Sequence, residues 1–98
     1  MADYLMLMHN DLTATEGGPE AWEVYIADLV ALGRLQGGSV LGAGICLRKG
    51  KRPRKLSAGI SGYIKVEAED LSHARRLISG NPVYEAGGTV EIRELLAD

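Results

Sequence analysis

The alternation of apolar and polar residues predicts a strand followed by a capped helix between Gly59 and Pro82. The strand has the period of two that is typical of half-buried strands, with apolar positions at Ile60, Ile64 and Val66. Asp70 stands where a helix needs an N-cap, and Gly80 stands where a glycine commonly ends one. Between them the apolar residues recur at helical spacing: Leu71, Ala74, Leu77 and Ile78.

The same patterning predicts three more strands and one more helix. The residues from Tyr4 to Met8 are all apolar, as in a central strand covered on both faces. A helix is expected from Gly18-Pro19 to Gly33, with an apolar stripe made of Trp22, Tyr25, Ile26, Leu29 and Leu32. The remaining strands are expected from Val40 to Leu47 and from Thr89 to Leu95.

A repeated sequence motif suggests how these elements are arranged. Gly37-Gly38-Ser39-Val40 and Gly87-Gly88-Thr89-Val90 share one pattern, and each is expected to follow a helix and precede a strand. The chain therefore reads as two β-α-β halves forming one α+β domain over residues 1–98. We expect a ferredoxin-like βαββαβ fold, with a four-stranded antiparallel sheet, its first and third strands in the middle, and two helices on one face.

The other face of this sheet has no helix to cover it. It would carry one row of the first strand and Tyr63, the row being either Leu5 and Leu7 or Tyr4, Met6 and Met8. A large exposed apolar patch usually marks an interface. We therefore expect a homodimer that forms through the uncovered sheet face.

Charge is unevenly distributed along the 98 residues. Six of the eleven basic residues lie between Arg48 and Lys55, in an expected hairpin tip around Gly50 and Pro53, while the formal net charge of the whole chain is −2. A solvated tip that resists edge-to-edge pairing is the favoured interpretation, and docking on acidic surface of the partner subunit is an alternative. Because no aromatic residue is interleaved with these cations, nucleic acid is not an expected partner.

Cysteine content and hydrophobic runs indicate a cytoplasmic protein. Cys46 is the single cysteine, which excludes an internal disulfide, and we expect it to be a buried small hydrophobe in mid-strand. The apolar run at the N-terminus is too short to span a membrane. No cofactor or metal is predicted, since Gly42-Ala43-Gly44 lacks the third glycine of a dinucleotide fingerprint and no phosphate-binding P-loop is present.

Three segments carry a resemblance to a known family. They are YLMLMHND near the N-terminus, WEVYIADLVALGRLQGGSVL from Trp22 to Leu41, and GYIKVEAEDLSHARRLISGNPVYEAGGTVEIREL from Gly62 to Leu95. In these the chain resembles the YCII-related family, near its DGPF-type branch, within the dimeric α+β barrel superfamily. The resemblance implies a dimer with its two sheets face to face, a cavity between sheet and helices, and lyase- or isomerase-like chemistry.

Two departures from the family limit what the resemblance implies. The Asp-Gly-Pro-Phe motif of the DGPF branch is absent, and its place falls in the segment from Lys51 to Gly59. Family members with a proposed His-Asp pair carry the histidine at the start of the first helix, where this chain has Ala21-Trp22. That pair therefore does not transfer to this chain.

The candidate catalytic residues come from the end of the first strand. His9 supplies an imidazole, the side chain best suited to general acid-base work, and is expected to reach the helix-sheet cavity, where Asp11 would accept a ring N–H and fix the tautomer. If the first and third strands are parallel neighbours, His73 lies at the same edge of the sheet. The alternatives are a solvated loop histidine for His9 and an outward helical one for His73. Nothing in the spacing requires the two histidines to share a metal.

Candidate ligand-binding residues are Trp22, Tyr25 and Ser39. The two aromatic side chains are expected in the core, and in a helix-sheet cavity they would also line a small-molecule pocket. The Ser39 hydroxyl either contacts ligand or serves hydrogen bonding at the start of a strand. Two functional classes follow: a cofactor-independent acid-base enzyme, and a non-catalytic dimeric ligand-binding or regulatory module.

Overall fold

The computed structural model describes residues 1–11, 18–56 and 59–96. Its elements follow in the order β1 (Ala2–His9), α1 (Gly18–Ala31), β2 (Leu35–Val40), β3 (Ile60–Ala68), α2 (Leu71–Arg76), α3 (Pro82–Glu85) and β4 (Val90–Leu95). The four strands form one sheet in the order β2-β3-β1-β4, and all neighbours are antiparallel. The predicted ferredoxin-like α+β fold is confirmed, with β1 and β3 in the centre.

The two rows of β1 lie in different surroundings. Tyr4, Met6 and Met8 point toward the helices and are 4%, 0% and 4% exposed. The residues of the other row, Asp3, Leu5, Leu7 and His9, are all half-buried. Of the two rows that the sequence left open, the uncovered one is therefore that of Leu5 and Leu7.

The helices cover one face of the sheet and are joined to each other in the core. Tyr25 and Leu29 of α1 and Ala74 of α2 are at most 2% exposed. The Tyr25 hydroxyl donates to the Leu77 carbonyl oxygen at 2.8 Å, which ties α1 to the end of α2. The predicted apolar stripe of α1 is wrong at Leu32, which is 62% exposed because the helix has ended and the chain turns at Gly33.

The strand-helix unit from Gly59 to Pro82 is present, and its N-terminal cap is confirmed. Asp70 caps α2, since its Oδ1 accepts the His73 backbone N–H at 2.8 Å. The predicted helix end at Gly80 is wrong, because α2 ends at Arg76 with Leu77 as its C-cap, and Gly80, with a left-handed φ of +91°, lies in the turn that follows. The sequence analysis missed α3. This helix begins at Pro82, directly after Asn81, because the Asn81 side chain accepts the N–H groups of Val83 and Tyr84.

The second strand lies earlier in the chain than expected. It was predicted from Val40 to Leu47, but β2 ends at Val40, and Leu41–Ile45 belongs to no strand. Gly38 of the repeated motif lies inside β2 rather than before it, at a place where a Cβ atom would be 2.7 Å from the Tyr63 carbonyl oxygen. The matching Gly87-Gly88 pair precedes β4, so the two copies of the motif are not structurally equivalent.

The basic segment forms a short hairpin, as predicted. The backbones of Cys46 and Arg54 exchange two hydrogen bonds of 2.9 Å, and the turn between them contains Gly50 at a φ of +79°. Cys46 is half-buried beside this bridge, which corrects the prediction that it is buried in mid-strand. Across the described residues, no helix has the length and apolar character needed to cross a bilayer.

Candidate functional site

His9 lies on the sheet face that the helices leave uncovered. We call this surface the open face; it is formed by Asp3, Leu5, Leu7, His9, Tyr63, Lys65, Glu91 and Arg93. The His9 Nε2 atom lies 3.2 Å from Glu91 Oε1, and the two side chains are 31% and 40% exposed. The site therefore combines an imidazole and a carboxylate that solvent can reach.

The strand register explains why these two side chains meet. Glu91 of β4 is directly opposite Leu7 of β1, and His9 follows Leu7 by two residues in the same row. Diagonal neighbours of this kind on adjacent antiparallel strands are within reach of long side chains. The backbone N–H of His9 donates to the Thr89 carbonyl oxygen at 2.9 Å, which holds the end of β1 against the start of β4.

Arg93 supports the carboxylate from the other side. Its Nη1 atom donates to Glu91 Oε2 at 3.0 Å. This hydrogen bond, followed by that from His9, lowers the pKa of Glu91, so Glu91 is a carboxylate at neutral pH. Because a carboxylate only accepts hydrogen bonds, neutral His9 must carry its proton on Nε2. Its Nδ1 atom is then the basic nitrogen.

Asp11 has a different partner from the one predicted. Its carboxylate accepts the Thr89 hydroxyl at 2.6 Å and the Thr89 backbone N–H at 3.2 Å. These bonds lower the pKa of Asp11, with a smaller contribution from the nearby His9. The expected hydrogen bond from the His9 ring to Asp11 is therefore wrong, and Glu91 takes that place. The catalytic roles of His9 and Asp11 stay predictions.

His73 lies far from His9 in the fold. Because β1 and β3 are antiparallel, the end of β1 and the start of α2 lie at opposite edges of the sheet. The His73 Nδ1 atom accepts the backbone N–H of Glu69 at 3.1 Å within the first turn of α2. The parallel pairing that would have brought the two histidines together is therefore wrong.

Trp22 and Tyr25 lie on the helix side of the sheet. Their rings pack edge to face with centroids 6.2 Å apart, and Tyr25 is 2% exposed. Besides its bond to Leu77, the Tyr25 hydroxyl lies 3.4 Å from Met6 Sδ. Burial raises the pKa of Tyr25 to about 12. The sheet separates both rings from His9, so the expected site that combines them in one helix-sheet cavity is wrong.

Ser39 lies on the exposed edge strand β2. Its hydroxyl donates to the Val40 carbonyl oxygen at 2.9 Å, and β3 separates β2 from β1. The five predicted site residues therefore divide among the strand end, the core and the sheet edge. The ligand-binding roles of Trp22, Tyr25 and Ser39 stay predictions.

Open grooves lie on the helix side of the sheet. One, between α2 and β4, has a volume of about 480 Å³ and is bordered by Tyr84. Another, between α1 and α2, has a volume of about 370 Å³ and includes Tyr25 in its lining. His9 and Asp11 are absent from both linings, as is Trp22.

The sequence analysis missed Glu91 and Arg93 as members of the site. A signal for them existed, because the predicted fold places the last strand beside the first. Val90 and Ile92 alternate with Glu91 and Arg93 along that strand, which puts the two charged residues on the face opposite the apolar ones. The row of His9 also has a polar residue at each end, Asp3 and His9, as expected of a row that faces solvent.

The chain is similar in fold, over nearly its whole length, to a solved enzyme structure. That enzyme is the 5-chloro-2-hydroxyhydroquinone dehydrochlorinase (TftG) of Burkholderia phenoliruptrix, in complex with 2,5-dihydroxybenzoquinone. The TM-score is 0.57 at 16% sequence identity, and the match covers 98% of this chain and 95% of the other. No protein-family model and no curated protein matches the chain. The similarity shows a shared α+β fold.

Proposed function

We propose that the chain is a YCII-related, cytoplasmic homodimeric enzyme that performs cofactor-independent acid-base chemistry, with His9 as the general acid-base. The hydrogen bond between His9 Nε2 and Glu91 Oε1 carries this proposal. Glu91 orients the imidazole and stabilises the imidazolium that forms when Nδ1 accepts a proton. General acid-base catalysis by an oriented side chain contributes typically 10²- to 10⁴-fold in rate.

Lyase- or isomerase-like chemistry suits this arrangement. In such a reaction Nδ1 removes a proton from a carbon next to a carbonyl group. The electron pair left behind either expels a leaving group or allows the proton to return at another carbon. The similarity in fold to a dehydrochlorinase, whose name describes the removal of hydrogen chloride, supports an elimination of this type.

Asp11 has a supporting role in this proposal. Its carboxylate is fixed by Thr89, the residue whose carbonyl oxygen holds the backbone of His9. A fixed negative charge near the ring favours the imidazolium. Asp11 therefore favours the charged form of the imidazole, whereas Glu91 orients the ring.

The proposal is tested with 2,5-dihydroxybenzoquinone as the probe. Its ring C–H positions exchange with deuterium when an acid delivers a deuteron to the ring carbon and a base then removes the proton from that carbon, and NMR follows this exchange in D₂O. We expect the protein to accelerate exchange, His9→Gln to return it to the buffer rate, and Glu91→Gln to slow it roughly 10- to 100-fold. Asp11→Asn should have a smaller effect.

Two results would contradict this chemistry. One is exchange at the buffer rate in the unsubstituted protein, and the other is an undiminished rate in His9→Gln. Glu23→Gln serves as the matched control, because it makes the same carboxylate-to-amide change at an exposed position of α1, on the helix side of the sheet. All the variants change exposed or half-buried positions, so circular dichroism should show the same fold in each.

The homodimer is proposed to form through the open face. Its centre is apolar, with Leu5, Leu7 and Tyr63, and its rim is charged, with the pairs His9–Glu91 and Lys65–Asp3, the latter at 3.7 Å. An apolar centre with a polar rim is the usual anatomy of a protein interface. In such a dimer the catalytic pair lies at the rim, beside the second copy.

Leu7→Asp should separate the subunits. Sedimentation should give twice the 10.5 kDa chain mass for the unsubstituted protein at micromolar concentration and one chain mass for the variant. Val24→Asp on the outer side of α1, where Val24 is 62% exposed, is the matched control and should remain a dimer. A stable single-chain mass of the unsubstituted protein across a dilution series would refute the dimer.

A further inference from the structure

The groove between α2 and β4 combines an apolar floor with a cationic rim. Ile78, Val90 and Ile92 form the floor, and each packs partly buried against the core. Tyr84 of α3 is half exposed and forms one wall. Arg75 and Arg76 line the same groove from α2.

Among the described residues, neither guanidinium group is paired with a carboxylate, and Arg76 also lines the groove between α1 and α2 together with Asp28. The lining of the groove between α2 and β4 contains no acidic residue, and among the described residues neither arginine takes part in a side-chain hydrogen bond or ion pair. Both side chains are exposed at the rim. A guanidinium offers five N–H donors in a planar fork, which matches the two oxygens of a carboxylate.

The groove belongs to a different site from the His9–Glu91 pair. Along β4, Val90 and Ile92 point to the helix side, whereas Glu91 and Arg93 point to the open face. The sheet therefore lies between the groove and the catalytic pair. A ligand in the groove cannot contact His9 of the same chain.

We propose that the groove between α2 and β4 binds small organic carboxylates with a flat apolar body. The apolar body lies on Val90, Ile92 and Ile78 beside the Tyr84 ring, and the carboxylate pairs with Arg75 and Arg76. The volume of about 480 Å³ falls within the range of about 300–1,000 Å³ that is usual for small-molecule sites. The apolar floor disfavours inorganic phosphate, which would leave that floor in water.

A comparison of three ligands separates what the carboxylate charge contributes to binding affinity from what the apolar floor contributes. The ligands are benzoate, benzyl alcohol and acetate. In titrations followed by ¹H-¹⁵N NMR, benzoate should bind saturably and shift the amides of Arg75, Arg76, Tyr84 and Ile92. Benzyl alcohol lacks the charge and acetate lacks the ring, so each should bind at least roughly tenfold more weakly than benzoate. The proposal does not rest on acid-base activity, and this titration measures binding alone.

Substitutions locate the anion. Arg75→Gln and Arg76→Gln should each weaken benzoate binding roughly tenfold or more, and Arg75→Lys, which keeps the charge but loses the fork, should fall between. Arg52→Gln in the basic hairpin removes the same charge elsewhere and should leave the affinity unchanged. Because the substituted side chains are exposed, we expect every variant to fold.

Several outcomes would overturn the proposal. They are no saturable binding of benzoate at millimolar concentrations, equal weakening in Arg52→Gln, and shifts confined to open-face residues such as His9 and Leu7. Equal affinity for benzoate and acetate would refute the role of the apolar floor. Retention of binding in the Arg75→Gln, Arg76→Gln double variant would refute the role of the arginines.

Discussion

The two faces of the sheet are built from the same strands but differ in what they need to be stable. On the covered face, Met6, Val66 and Leu29 are at most 1% exposed, and the chain itself completes the core. On the open face, Leu5 and Leu7 remain half-buried within a ring of charged residues. The apolar core on the covered face is completed within a single chain, whereas the open face has the composition of a protein interface.

This difference shows how one apolar strand serves two purposes. β1 is apolar in both rows between Tyr4 and Met8, yet only the row of Tyr4, Met6 and Met8 is buried in the core of the single chain. The other row supplies the apolar centre of the open face and ends in His9. The proposed acid-base chemistry therefore lies on the face that the core does not use, where a polar side chain costs little stability.

The largest contrast is expected between Met6 and Leu7, which are adjacent on β1. Met6→Ala should lower the free energy of unfolding by about 2–5 kcal/mol at every protein concentration, because it opens a cavity in the core. Leu7→Ala should cost less in dilute solution, and its cost should grow with concentration as the dimer forms. Urea denaturation at several protein concentrations measures both. A cost of Leu7→Ala that is large and independent of concentration would break the distinction between the two faces.

Tyr25 gives a pH test of the covered face. Burial raises its pKa from 10.0 to about 12, so the folded state holds the phenolic proton more tightly than the unfolded state. The resulting stabilisation is complete below pH 10 and is lost as the pH rises toward 12, up to about 2–3 kcal/mol. Tyr25→Phe should cost about 1 kcal/mol at pH 7 through the lost bond to Leu77 and should lack this alkaline loss.

Denaturation at pH 7 and near pH 11.5 checks this expectation. The unsubstituted protein should be the more stable of the two at pH 7 and should lose that advantage at the higher pH. A difference in stability that stays constant between the two pH values would show that Tyr25 does not titrate with a raised pKa.

The basic hairpin belongs to neither face and should give the smallest effect. Replacing Lys51, Arg52, Arg54 and Lys55 with serine should change the free energy of unfolding by less than about 0.5 kcal/mol, because all four are exposed. Neither protein should bind DNA or RNA specifically at physiological salt. Fluorescence anisotropy tests this, and submicromolar binding that disappears in the variant and weakens steeply with salt would contradict it.

The fold was predictable because the local signals agree with one another. The Asp70 cap, the positive φ at Gly80 and the alternation of β3 each follow from residues close in sequence. Strand order then followed from the rules for connecting β-α-β units. The boundaries of β2 could not be predicted in this way, because glycines inside a strand give the same signal as glycines before one.

The site was only partly predictable. His9 was expected to reach the helix side because the end of the central strand β1 opens next to the start of α1. The apolar rows of β1 give no indication of which row the helices cover. The partner of His9 depends on the register between β1 and β4, which local sequence does not determine. Asp11 was the nearest carboxylate in sequence, but Thr89, across the strand pair, is the residue that binds it.

The close approach of β2 and β3 has a consequence for how this chain tolerates change over evolution. A Cβ atom at Gly38 would lie 2.7 Å from the Tyr63 carbonyl oxygen, and one at Gly62 would lie 3.0 Å from that of Ser39. Gly38 is nevertheless on the solvent-exposed edge strand, where substitutions are usually accepted. Gly38 should therefore vary slowly in sequence although it is exposed. The reason is the lack of space for a side chain between the backbones of β2 and β3, and not burial of the position. Among descendants of this chain, Val40, which is 85% exposed, should vary while its neighbour Gly38 does not.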